Sequence, residues 1–90
     1  MSEENFVQSQ AVGTLATKKF PLLVRTDSGD PVILLQKLLR RFGYNLSLTG
    51  TFDQTTETRV KEFQRIEGLS VADGKVGDET WNQLITKFQP

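Results

Sequence analysis

The sequence has no cysteine and no histidine. Without cysteine there is no disulfide framework and no thiolate metal site. Without histidine the commonest general base, the usual metal ligand and every Ser/His or Cys/His nucleophile arrangement are excluded. Neither sign of charge is in excess, with 11 Lys and Arg against 11 Asp and Glu. A nucleic-acid binder ordinarily carries a basic surplus, so no nucleic-acid partner is expected. No apolar run approaches the length of a membrane-spanning helix, and no membrane insertion is expected. The first residues, MSEENFVQSQ, place Glu3 and Glu4 where a signal peptide needs positive charge. The chain itself therefore leaves its compartment open.

What is present is an internal repeat. Val32, Leu35 and Gln36 recur as Val60, Phe63 and Gln64, each 28 positions on; Gly50, Phe52 and Thr56 recur as Gly74, Val76 and Thr80, each 24 on. One helix-loop-helix unit is written twice, four residues shorter between the halves of the second copy. Two copies at this short period favour a pseudo-symmetric domain over a solenoid. With 90 residues the chain supports one small domain.

Residues 1–20 are expected to be a flexible N-terminal segment and residues 21–90 the domain, with Phe20 to Val24 lying extended against it. Asp30 is placed to cap a first helix, Pro31 suits its first turn, and Gly43 can stop it. At 100° per residue Leu34, Leu38, Phe42, Leu35, Leu39 and Val32 cover an arc of about 160°. Ile33 falls outside that arc and needs a cover, for which the segment Phe20–Val24 is the nearest candidate and a second protein the alternative. Asp53 caps a second helix, whose stripe is Thr56, Val60, Phe63 and Ile66 and whose Glu57 and Lys61 are spaced to pair. Leu69 and Val71 point inward by alternation. Asp73-Gly74 is a turn, and Lys75-Val76 is expected to pair with its repeat partner Thr51-Phe52. Gly77 takes the cap position of the third helix, where Trp81, Leu84, Ile85 and Phe88 form a core face. The fold expected is all-α, a three-helix orthogonal bundle of two pseudo-repeats with two very short extended links.

The ordered motifs Val32-x-x-Leu35-Gln36-x-x-Leu39-x-x-x-Gly43-Tyr44, Gly50-x-Phe52-Asp53-x-x-Thr56, Val60-x-x-Phe63-Gln64-x-x-x-Gly68-Leu69 and Asp73-Gly74-x-Val76-Gly77-x-x-Thr80-Trp81-x-x-Leu84 resemble the peptidoglycan-binding domain type 1 family. The resemblance covers roughly residues 25–88. It implies a non-catalytic three-helix module that attaches to the bacterial cell wall beside a hydrolase, amidase or transpeptidase, and hence a place in the cell envelope. Three positions depart from the family pattern. Ala72 lengthens the loop between Val71 and Asp73, Arg59 replaces a small residue, and Ile33 and Leu34 stand where the family tends to be polar.

The candidate ligand contacts are Arg40, Tyr44, Asn45, Asp73 and an edge of Trp81, set around a shallow groove beside loops 43–49 and 72–77. An arginine fork suits the free carboxylates of stem peptides, although an arginine on a helix surface is ordinarily only solvated. Tyr44 follows a helix stop, from which its phenol can reach the surface. Asp73 is also a turn residue, and Trp81 by its spacing is also a core residue. Gln36 and Gln64 recur at the same place in both copies, which favours each holding its own following loop over a direct ligand role. The glycan or the stem peptide of peptidoglycan is the expected partner. A cell-wall hydrolase or other protein is a second one, bound through Ile33 and Leu34. Asp53, Asp73, Asp78 and Glu79 raise the idea of paired catalytic carboxylates. Most of them already have a capping, turn or dipole role, and 90 residues leave little room for a deep cleft. No catalytic residue, metal or cofactor is expected.

Overall fold

A computed structural model describes residues 20–89. Three helices make up the fold, α1 (Asp30–Arg41), α2 (Gln54–Ile66) and α3 (Asp78–Phe88). The all-α, three-helix expectation holds. The cap of α1 falls one residue earlier than expected. Gly29, not Asp30, is the capping residue. Its carbonyl accepts from the amides of Val32 and Ile33, and its own N–H is fixed on the Gly50 carbonyl at 3.0 Å. Asp30 becomes a first-turn carboxylate, where the helix dipole favours it.

The buried residues of α1 are Val32, Leu35, Gln36, Leu38 and Leu39. This arc is as wide as the one read from the apolar residues but rotated about 40° toward Gln36. Ile33 and Leu34 therefore flank it on either side. Ile33 is half-buried and lies over Gly50: a Cβ added at Gly50 would meet Ile33 Cδ1 at 3.1 Å. Leu34 is 37% exposed.

Phe52, Val60, Phe63, Val76, Trp81 and Leu84 complete the core with Leu23 and Leu46. Ile66, expected on the α2 stripe, and Phe88, expected on the α3 core face, are exposed. Each is the last apolar position of its helix. Phe88 is instead overlaid by the Arg41 guanidinium, 5.6 Å from its ring centre. Leu69 packs against the core, while Val71 points to solvent.

The two extended links are present but do not pair with each other. Val76 pairs with Leu23, and Thr51 with Ser28, both antiparallel. Leu23 and Val76 exchange N–H···O bonds of 3.1 and 2.9 Å; Phe52 donates to Asp27 at 2.7 Å and accepts from Thr26 at 2.9 Å. One N-terminal segment thus serves the link of each copy. Phe20 stacks on Trp81 with ring centres 4.7 Å apart, so the extended placement of Phe20–Val24 against the domain holds. The expectation for residues 1–19 lies outside the described residues.

Candidate functional site

The repeat builds two copies of one latch. Gln36 is fully buried on α1. Its Nε2 donates to the Thr51 carbonyl at 3.1 Å and to Thr56 Oγ1 at 3.0 Å, and its Oε1 accepts the Gly50 N–H at 3.0 Å. Gln64, equally buried on α2, donates to the Lys75 carbonyl at 2.8 Å and to Thr80 Oγ1 at 3.0 Å, and accepts the Gly74 N–H at 2.9 Å. Each glutamine ties the turn before a helix to the first turn of that helix. The loop-holding role expected of both glutamines is what the geometry shows. Such satisfied buried networks fix a unique arrangement of the loops around them.

The copies differ at the cap. Asp53 Oδ1 accepts the Thr56 N–H at 2.9 Å and the Thr56 hydroxyl at 2.8 Å. These bonds, the backbone one first, hold its carboxyl below the usual aspartate range. Gly77 has no side chain to offer, and α3 instead carries Asp78 and Glu79 in its first turn. Glu79 accepts from both the amide (3.0 Å) and the hydroxyl (2.8 Å) of Ser70, which binds the lengthened loop to α3.

Of the sequence-predicted contacts, Arg40, Tyr44 and Asn45 share the end of α1 and its following loop. Arg40 and Asn45 are exposed. Tyr44 is half-buried and meets Phe63 edge-on, with ring centres 6.1 Å apart. Burial, and then the nearby carboxylates of Glu67 and Glu62, push its phenol above the ordinary tyrosine range, so it is a hydroxyl donor at neutral pH. Arg59 has a role that the sequence did not disclose. Its Nε donates to the Asn45 carbonyl at 2.8 Å and its Nη1 to Glu62 at 3.0 Å, so it holds this loop down on α2. The only signal was its departure from the small residue usual there. Glu57, spaced to pair with Lys61, pairs with Arg25 at 3.2 Å.

Asp73 and Trp81 lie apart from that cluster in their contacts. Asp73 Oδ1 accepts the Lys75 N–H at 3.0 Å. Asp73 also lines a cleft of about 200 Å³ with Leu22, Val71, Lys75, Gly77, Asp78, Glu79 and Thr80, which includes none of the other four candidates. Trp81 is 2% exposed. Its indole N–H donates to the Pro21 carbonyl at 2.8 Å, and Phe20 covers its ring. No sugar-stacking face is presented there while Phe20 is in place.

Residues 28–84 match the family described as "Putative peptidoglycan binding domain". The chain belongs to this family. Among solved structures it is similar to a peptidoglycan-binding protein from Clostridioides difficile, determined in complex with glutamine hydroxamate. That likeness has 36% identity and a TM-score of 0.68, and covers 71% of this chain and 40% of that one. It is also similar to the SleB N-terminal domain, with 31% identity and a TM-score of 0.73, over 77% of this chain and 94% of that one. Among curated proteins it is 34% identical over 59 residues to the carboxy-terminal processing protease CtpA of Bacillus subtilis (strain 168). That stretch is 66% of this chain but 13% of CtpA, so the match spans only a small part of the protease. Family and neighbours together support a cell-wall binding module, and with it an association with the cell envelope. No helix among the described residues is long and apolar enough to cross a membrane.

Proposed function

We propose that the chain is a non-catalytic module that holds an attached or partner cell-wall enzyme on peptidoglycan, with Arg40, Tyr44 and Asn45 as one contact surface. The observation that carries this surface is the Arg59–Asn45 bond together with the Tyr44–Phe63 contact. They fix the loop backbone and leave the Asn45 side chain and the Arg40 guanidinium facing solvent. A pre-ordered polar loop loses little entropy on binding. Asn45 can exchange hydrogen bonds with sugar hydroxyls or peptide amides, Tyr44 can donate one, and Arg40 can fork onto a stem-peptide carboxylate. A contact this small gives weak affinity per site, and a polymer compensates by offering many sites. Asp73 and Trp81 complete the proposed set, Asp73 at the second loop and Trp81 only where Phe20 is displaced. The carboxylates raised as catalytic candidates have structural partners. Asp53 holds the cap of α2, Glu79 holds Ser70, and Asp73 holds its own turn.

Co-sedimentation with purified, protein-free sacculi at low and physiological salt tests this reading. Saturable pelleting that survives physiological salt is expected, and Arg40→Ala with Tyr44→Ala should weaken it. A folded sample that does not pellet overturns the wall-binding reading. Pelleting that is unchanged in the double variant overturns the surface alone.

The alternative is a protein-interaction module docking through Ile33 and Leu34. Of these two, Leu34 is exposed and Ile33 is half-buried beside Gly50.

A further inference from the structure

The cleft beside the second loop has two exposed apolar walls. Leu22 is 61% and Val71 54% exposed. Neither wall follows from the family pattern. Leu22 lies before residue 28, where the family match begins. Val71 is turned outward in the loop that Ala72 lengthens. Leu22 also lies over the α3 cap, where a Cβ added to Gly77 would stand 3.9 Å from its Cδ1. The strap that carries Leu22 is pinned on both sides, by the Trp81–Pro21 bond and by the Leu23–Val76 bridge. The other wall is pinned through the two Ser70 bonds to Glu79. Two exposed aliphatic side chains are thus held at one cleft by rigid supports.

Size and charge select the occupant. At about 200 Å³ the cleft falls below the roughly 300–1,000 Å³ of ordinary small-molecule pockets. It suits a single side chain and not a disaccharide. Its lining sets the carboxylates of Asp73, Asp78 and Glu79 against the single ammonium of Lys75. The internal bonds of Asp73 and Glu79 engage Oδ1 and Oε2, and an ionised carboxylate has about four lone-pair sites. An aliphatic stem with a cationic end matches this combination, the stem against Leu22 and Val71 and the end among the carboxylates.

We infer that this cleft binds an aliphatic side chain ending in a primary amine, as the diamino acid of a peptidoglycan stem peptide carries. The inference rests on the wall-binding reading for its choice of polymer. The charge logic is opposite to that at Arg40, which would take a carboxylate. Two surfaces of opposite preference on one module would together read a zwitterionic stem peptide.

The test is a titration of the full chain, followed by ¹⁵N amide shifts, with the synthetic peptide alanyl-γ-glutamyl-lysine acetylated at its N-terminus. A second peptide is acetylated on the lysine ε-amine as well. The free-amine peptide should shift the amides of Val71, Asp73, Lys75 and Glu79 saturably. The doubly acetylated peptide should bind more weakly by up to about fivefold, the upper end expected for one lost exposed charge contact. Val71→Ser and Leu22→Ser alter exposed positions, and each should weaken the free-amine peptide by about threefold or more while leaving the amide spectrum folded. Equal binding of the two peptides, shifts confined to Tyr44 and Asn45, or no saturable shift at all would overturn the proposal. Pelleting of the wild-type chain with sacculi is scored separately. A chain that pellets but ignores the amine loses the cleft and keeps its wall binding. A chain that binds the peptide at the cleft without pelleting does the reverse.

Discussion

Ile33 lies over Gly50 as Lys61 lies over Gly74. A Cβ placed on Gly50 would come within 3.1 Å of Ile33 Cδ1, and one placed on Gly74 within 3.0 Å of Lys61 Cε and 3.2 Å of Lys61 Cγ. The two covering residues are 28 positions apart, the helix offset of the repeat. Both glycines have positive φ, 79° and 81°, which side chains rarely adopt. The apparently misplaced isoleucine is the first-copy counterpart of an aliphatic lysine stem. Ile33→Lys should therefore cost less than about 1 kcal/mol, because the substitute can lay its stem on Gly50 as Lys61 does on Gly74. Gly50→Ala should cost about 1–3 kcal/mol from backbone strain and contact together. Urea unfolding of both variants checks this. A large loss in Ile33→Lys would show that the two copies are not equivalent here.

The glutamine latches give a sharper case. In Gln64→Leu the Gly74 N–H and the Lys75 carbonyl lose their partner. Gly74 is buried, so its amide is left without water. A buried unsatisfied group costs about 1–3 kcal/mol, so a loss of roughly 3 kcal/mol is expected, with Gln36→Leu of similar size. Gln64→Glu keeps the acceptor but loses the donor, and should remain destabilised at neutral pH. Denaturant midpoints measure all three, and amide exchange at Gly74 should speed up selectively in Gln64→Leu.

How much of this was legible follows from the same residues. The glutamine latches could be read because the same local pattern is written twice, and the helices and the Asp53 cap because stop, cap and apolar spacing are local signals. The rotation of the α1 face could not, because the periodicity counted apolar residues while the residue that turns the face inward is Gln36, a buried polar group. The pairing of the links was misread for a related reason. Repeat symmetry offers Thr51 and Val76 to each other, but a third segment, Leu23 to Ser28, bonds to both and carries no motif of its own. At the candidate site, Arg40, Tyr44 and Asn45 lie at the end of α1 and in the loop that follows it. Asp73 lines a different cleft, and Trp81 is covered, because Phe20 reaches it across a sequence distance that no local spacing reports. Arg59 was noticed only as an oddity, since its acceptor is a backbone carbonyl.

Asp53 sets an acid limit. Its folded carboxyl is held low by the Thr56 N–H and then by the Thr56 hydroxyl. A lowered folded value means that this stabilisation is present above the unfolded pKa, near 3.8, and is lost as pH falls through the folded one. Asp53→Asn can still cap but does not titrate, so its stability should fall less steeply below pH ~4 than that of the wild type. Asp53→Ala should cost about 1 kcal/mol at neutral pH. Thermal melts across the acid range distinguish the three. A wild type and Asp53→Asn that lose stability in parallel would remove the carboxylate from the account.

Thr26 is the non-glycine residue with positive φ among those described, at 82°. It sits in the turn closed by the Asp27 N–H on the Val24 carbonyl at 3.0 Å, with the Val24 amide returned to Asp27 Oδ2 at 2.9 Å. A β-branched residue there is strained. The bridges on either side hold it in place. Thr26→Gly relieves the strain but frees the unfolded chain, so a net gain of up to about 1 kcal/mol is expected. A measured loss would mean that the Thr26 side chain makes a contact worth more than the strain.

The Phe20–Trp81 stack decides whether Trp81 belongs to the proposed contact set. Phe20→Ala removes a stacked ring and should cost about 1–2 kcal/mol, while leaving the Pro21 carbonyl as a partner for the indole. Hydration of the uncovered indole should move its emission to longer wavelength, and the chain has one tryptophan, so the signal is unambiguous. Wall binding then separates two roles. If Trp81 is only a core residue, pelleting with sacculi should stay level or weaken in step with stability. If Trp81 stacks on sugar once uncovered, Phe20→Ala should pellet more strongly than the wild type despite being less stable, and soluble wall fragments should shift the emission back. The first outcome confines the ligand contacts to the exposed loops. The second makes the N-terminal strap a competitor for the same aromatic face.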